Sequence, residues 1–167
     1  MRTELETVFN LLTEQMRIQR ELLELSHEKL KAITGFDTEA LNSVVKGELL
    51  LLSKMKSLEK RRLIVMAPAA RLLALEGDDI TISAIAERAE TQEAVSFLNL
   101  KKEMTALVRE QTELNEMNRR LLEAQIEYTD AILSIIVGNE DPINSLYDDS
   151  GLSSERPRST GFFDGQV

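Results

Sequence analysis

Glu24 and His27 form the one pair in this chain whose residue types and spacing suggest metal chemistry. On a helix a Glu-x-x-His pair puts both side chains on one face, the arrangement that di-iron carboxylate bundles use. Such a site needs the pair twice and two further carboxylates, and this chain has a single His. A surface His among ordinary helix charges is the plainer reading. Asp148 and Asp149 could hold a cation loosely, but an EF-hand loop needs further spaced ligands and a closing Glu, so a solvated turn is expected there. Ser150, Ser153, Ser154 and Ser159 have no His base nearby, which leaves a hydrolase triad unsupported. The glycines are isolated and none precedes a Lys-Ser or Lys-Thr pair, so there is no phosphate loop. With no Cys in the chain, a disulfide scaffold, an iron–sulfur cluster, a thiolate zinc site and a cysteine nucleophile are excluded. No metal, no cofactor and no enzymatic activity are expected.

The bulk numbers narrow the classes further. A chain of 167 residues has room for one ordinary domain, and 43% hydrophobic residues can supply its core. Only 4% are aromatic and none is Trp, leaner than a pocket-lined enzyme or a sandwich of short strands usually is. The 29 acidic residues against 20 basic ones leave a net charge of -9. That balance argues against nucleic acid and anionic membranes, which both need a basic face, while a basic or disordered protein partner stays compatible. The opening Met1-Arg2-Thr3-Glu4-Leu5-Glu6 places acids where a secretory signal would be apolar. The longest apolar runs, Leu49–Leu52 and Ile64–Ala70, are too short to span a bilayer. The expectation is a soluble, cytoplasmic protein with no membrane insertion.

Three long segments carry helical periodicity. In the first, Leu5, Phe9, Leu12, Met16, Gln19, Leu23, Ser26, Leu30 and Ile33 recur by fours and threes, widened by Val8, Ile18, Leu22 and Leu25. Gly35 should stop this helix, and Asp37, or more weakly Thr38, should cap the next. The second seam is Leu41, Val44, Glu48, Leu51, Met55, Leu58, Arg62 and Val65. Pro68 then leaves two readings open: a stop near Met66 with a restart, or one helix with a kink. Gly77-Asp78-Asp79 reads as a turn, and Thr81 or Ser83 as the cap of a short helix reaching about Ala89. The third segment opens at Thr91 and runs to Gly138. Its seam is Phe97, Leu100, Met104, Leu107, Gln111, Leu114, Asn118, Leu121, Gln125, Tyr128, Ile132 and Ile135.

The fold class that follows is all-α: an elongated antiparallel bundle of three long helices, a short extra helix and a mobile C-terminal tail. The helical domain covers residues 1–138. Residues 139–167 read as a flexible acidic tail, with Tyr147, Phe162 and Phe163 marking a docking motif. Within the seams, Gln111, Asn118 and Gln125 stand seven apart, as do Gln19 and Ser26, while Glu48 and Arg62 interrupt helix two. Such rows either meet one another and fix helix pairing, or line a half-open groove for a partner's amphipathic helix. The basic stretch Lys54–Arg62 could steer an acidic partner, though pairing along the helix surface accounts for it equally.

Leu114-Asn115-Glu116-Met117-Asn118-Arg119-Arg120-Leu121-Leu122 resembles the Leu-Asn-x-x-Asn-x-x-Leu-Leu segment in the last long helix of the FlgN family. Tyr147-Asp148-Asp149-Ser150-Gly151 is similar to the Tyr-x-x-x-Gly element that follows it, and Thr81-Ile82-Ser83 to the family's capping stretch. The resemblance covers roughly residues 5–151, and the Phe162-Phe163 pair matches no family element. It implies a flagellar type III export chaperone. Such a protein binds the hook-associated proteins FlgK and FlgL, keeps them from premature assembly and hands them to the export-gate receptor FlhA. By this analogy the client surface is the helix-three seam, with Leu114, Asn118, Leu121, Gln125 and Tyr128 as contacts, and Tyr147 is the gate contact. Without flagellar clients, the same pattern would suit a structural coiled coil that pairs with itself, and a homo-dimer stays open in either case.

Overall fold

Asp37 shows why the first two helices part where they do. Its side chain accepts a hydrogen bond from the Ala40 N–H at 2.9 Å, satisfying one of the orphan donors of a helix start for about 1 kcal/mol. In the computed structural model, which describes residues 2–75 and 81–137, α1 spans Thr3–Thr34 and α2 spans Thr38–Leu72. After them come the short α3, Ile82–Arg88, and α4, Thr91–Val137, with no strand among the described residues. Thr81 rather than Ser83 caps α3, accepting from Ala84 N–H at 3.1 Å.

The end of α1 differs in one instructive way from the expectation. Gly35 is the C-cap residue but keeps a right-handed φ of -85°. The left-handed position falls on Phe36, at φ 55°. The Phe36 N–H donates to Ile33 O and the Asp37 N–H to Ala32 O, the paired bonds of a Schellman motif, which normally carries glycine at this place. Gly35 is favoured for another reason, since a Cβ there would meet Lys31 O at 3.1 Å. The same motif closes α2, where Ala74 has φ 49° and the Arg88 guanidinium donates to Leu73 O and Ala74 O. Left-handed backbone costs an L-residue roughly 1–2 kcal/mol. Phe36→Gly is therefore expected to raise stability by about 1 kcal/mol, read as a higher urea midpoint.

Pro68 lies inside α2, so the one-helix reading holds. Proline has no N–H for Ile64 O, and its ring crowds that carbonyl. The helix survives because the turn beyond it is anchored: Ala69, Ala70 and Leu73 are all buried.

The chain's contacts fall into two units, Met1–Gln125 and Ile126–Val167. In the first, α1 and α2 run antiparallel, since Gln15 bonds Glu59 while Lys29 pairs with Glu48. Gly47 allows the close approach, because a Cβ would sit 3.1 Å from Leu25 Cδ1. α4 runs parallel to α1, as the rising pairs Arg2–Glu93, Arg20–Glu103, Ser26–Asn118 and Ile33–Gln125 show. The core has two parts with different membership. One joins all four helices through Leu5, Val8, Met66, Ile85, Phe97 and Leu100. The other, Ile18, Leu22, Leu51 and Leu58 with Leu25 and Met55 against it, belongs to α1 and α2 alone. Beside that second part α4 is held largely by polar bonds to α1. Of the second unit, the described residues are Ile126–Val137, the final turns of α4.

Candidate helix-binding surfaces

The seam of α4 changes character along its length. Phe97 and Leu100 are buried, and so are Leu114 and Asn118, at 6% and 2% exposure. Leu121 and Gln125 are half-buried, and Tyr128 is 59% exposed. Two residues read as client contacts, Leu114 and Asn118, are thus already taken up inside the protein. Asn118 Nδ2 donates to Ser26 O at 2.9 Å, and Gln125 Nε2 donates to Ile33 O. Gln111 reaches Ser26 Oγ and Asn115 Oδ1. The polar row therefore does pair helices, by binding α1 where apolar packing is thin. Tyr147 lies outside the described residues, as do Phe162, Phe163, the tail serines, Asp148, Asp149 and the Gly77-Asp78-Asp79 turn.

From Ile126 onward α4 presents an open apolar surface. Ile126, Tyr128, Ile132, Leu133, Ile135, Ile136 and Val137 are all exposed. Glu127 and Asp130 are the only charged residues among them. Of this patch the heptad seam had picked out Tyr128, Ile132 and Ile135. It missed Ile126, Leu133, Ile136 and Val137, although apolar residues spreading beyond one helical face signal a surface built for more than one neighbour.

Two clefts lie along the first unit, floored by α1 and walled by α2 and α4. The first, about 490 Å³, is lined by Leu12, Gln15, Met55, Arg62, Met104 and Val108. The second, about 460 Å³, is lined by Leu22, Glu48, Leu52, Gln111, Asn118 and Leu122. The charges in them are neutralised locally. Lys29 Nζ lies 2.5 Å from Glu48 Oε2 with both side chains largely buried. The Arg62 hydrogen bonds hold the Glu59 carboxyl below the usual carboxylate range, with burial opposing and the Gln15 amide assisting. On the rim, bonds from Arg119 and then Arg120 hold the Glu116 carboxyl down to about 2. At the start of α4, Glu93 is 5% exposed and accepts from the Arg2 backbone N–H at 2.8 Å. Burial pushes that carboxyl up, but the Arg2 and Glu90 backbone bonds and the Arg2 charge outweigh it and hold it low.

His27 is half-exposed and sits 3.8 Å from Glu110 across the α1–α4 seam. Among the described residues no cluster of three His, Cys, Asp or Glu could hold a metal ion. None of the described helices is long and apolar enough to cross a membrane. What the geometry offers is apolar helix surface and long clefts, the features that accept another helix.

Comparison with curated proteins and with solved structures gave no match. The model of one protein family, described as FlgN protein, matches residues 1–155. A flagellar export chaperone has no need of chemistry and every need of helix-binding surface, and this chain belongs to the FlgN family of such chaperones.

Proposed function

We propose that this chaperone works in the cytoplasm and binds the hook–filament junction proteins FlgK and FlgL. It covers their assembly-prone terminal helices and delivers them to the export gate. The observation that carries the reading is the end of α4, where seven large apolar side chains stand exposed between Ile126 and Val137. A client's amphipathic helix laid along Tyr128, Ile132 and Ile135 would bury apolar surface that both partners otherwise expose to water. Leu121 and Gln125, half-buried at present, would be reached only by a client extending up the helix. Tyr147 is the proposed contact with the gate receptor FlhA.

The double variant Ile132→Lys, Ile135→Lys tests the client surface. Removing two buried isoleucine contacts, each worth roughly 1.5–3 kcal/mol, should weaken binding of purified FlgK at least about 100-fold. Both side chains are exposed, so the thermal melt should not move. Unchanged FlgK affinity would remove α4's end from the client site. The same apolar end favours one second reading, a structural coiled coil closing on another copy of itself. In that case sedimentation equilibrium of the pure protein would show a stable dimer, broken by the same double variant, with no affinity for FlgK.

A further inference from the structure

Gln19 lines both clefts and marks the place where they meet. It is half-buried, and its amide has no hydrogen-bond partner among the described residues. To one side the lining is apolar and rich in methionine, with Leu12, Met55, Met66 and Met104. To the other side Leu22, Leu52 and Leu122 share the lining with the Lys29–Glu48 ion pair and Arg119. Between them Gln19 and the amides of Gln111 and Asn115 form a polar belt. Two carbonyl oxygens at that belt, Gln111 Oε1 and Asn118 Oδ1, are also without a partner. The walls run from Met66 to Glu48 on α2, about 27 Å at 1.5 Å per residue, the length of five helical turns.

We propose that the paired clefts seat one amphipathic helix of a partner protein. Its apolar seam is interrupted by a single amide or hydroxyl residue opposite Gln19, and its flank toward α2 is acidic. This assignment rests on the reading of the chain as a binder of helical clients, and adds a selection rule to it. A seam of unbroken leucine would bury the Gln19 amide unpaired, which costs more than the lost hydrogen bond itself. A seam with one asparagine satisfies it and locks the helix in a single register, as one polar core residue does in a coiled coil. The methionine side chains accommodate whatever apolar shapes flank that point. The acidic flank follows from Lys56 and Lys60, one and two turns from Leu52 along α2. Both are exposed and make no ion pair among the described residues.

The test uses the full chain and two labelled synthetic helical peptides of about five turns, with apolar seams and glutamates along one flank. They are identical except for asparagine or leucine at the centre of the seam. By fluorescence anisotropy the asparagine peptide should bind about 10-fold more tightly. The Gln19→Leu variant should invert that order, and Leu52→Lys should weaken both peptides. Binding of neither peptide below millimolar concentration would overturn the helix seat, and a preference unchanged by Gln19→Leu would overturn the role of Gln19. If FlgK binds at the end of α4 while neither peptide enters the clefts, this inference fails and the client reading survives. If the peptides behave as described while FlgK does not bind, the clefts stand and the named client falls.

Discussion

Phe97→Ala should cost about 3–5 kcal/mol, a large share of the roughly 5–15 kcal/mol that holds a domain of this kind together. Phe97 is fully buried, and its ring meets Phe9 edge-to-face with centroids 5.5 Å apart. It sits in the one cluster to which α1, α2, α3 and α4 all contribute. Truncation removes the transfer energy of a phenyl ring, leaves a cavity four helices cannot close together, and takes an edge-to-face partner from Phe9. Urea titration followed by far-ultraviolet circular dichroism measures it, and a midpoint within error of wild type would show that Phe97 does not hold the four helices together. Phe36→Gly serves as the counterpart, because it should move the midpoint in the opposite direction.

Pro68→Ala should stabilise the protein by up to about 3 kcal/mol, the difference between proline and alanine in a helix interior. The change restores an N–H for Ile64 O and removes the ring's clash with that carbonyl. Little is lost in exchange, since Pro68 is exposed. The buried residues of that turn are its neighbours Ala69 and Ala70. The reading is again the urea midpoint. A fall would mean that proline at this position helps to hold Ala69, Ala70 and Leu73 on the cluster around Phe97, and that the cost to the helix is offset by packing.

The elements themselves were legible because each is announced by local chemistry. Asp37 and Thr81 cap helices through bonds within three residues of themselves, and the second seam proves buried or half-buried at every position from Leu41 to Val65. The left-handed turns were not legible, because Phe36 and Ala74 hold places where glycine is the usual signal. The clefts were not legible either. Their walls depend on how closely α1 approaches α2 at Gly47 and on α4 being tied to α1 by Ser26 and its amides, and both are tertiary facts. A heptad pattern also carries no mark of where a partner helix ends. Leu114 and Tyr128 look alike in sequence, yet Leu114 is buried and Tyr128 is exposed. The alternation between pairing and groove-lining for the polar row resolves by residue. Ser26, Asn118 and Gln125 pair helices, whereas Gln19 faces open space.

The unequal membership of the two core clusters has a bearing on how the protein is made. The chain emerges from the ribosome N-terminus first, and segments fold as they become complete. Ile18, Leu22, Leu51 and Leu58 need nothing beyond α2, so the hairpin can bury them while α4 is still being translated. Contacts between near neighbours along the chain also carry less closure entropy than the joining of Leu5 to Phe97. The nascent hairpin is thus a platform waiting for its last long helix, with the α1 surface that will floor the clefts still open. Ser26, whose backbone oxygen accepts from Asn118, sets the register in which that helix then docks.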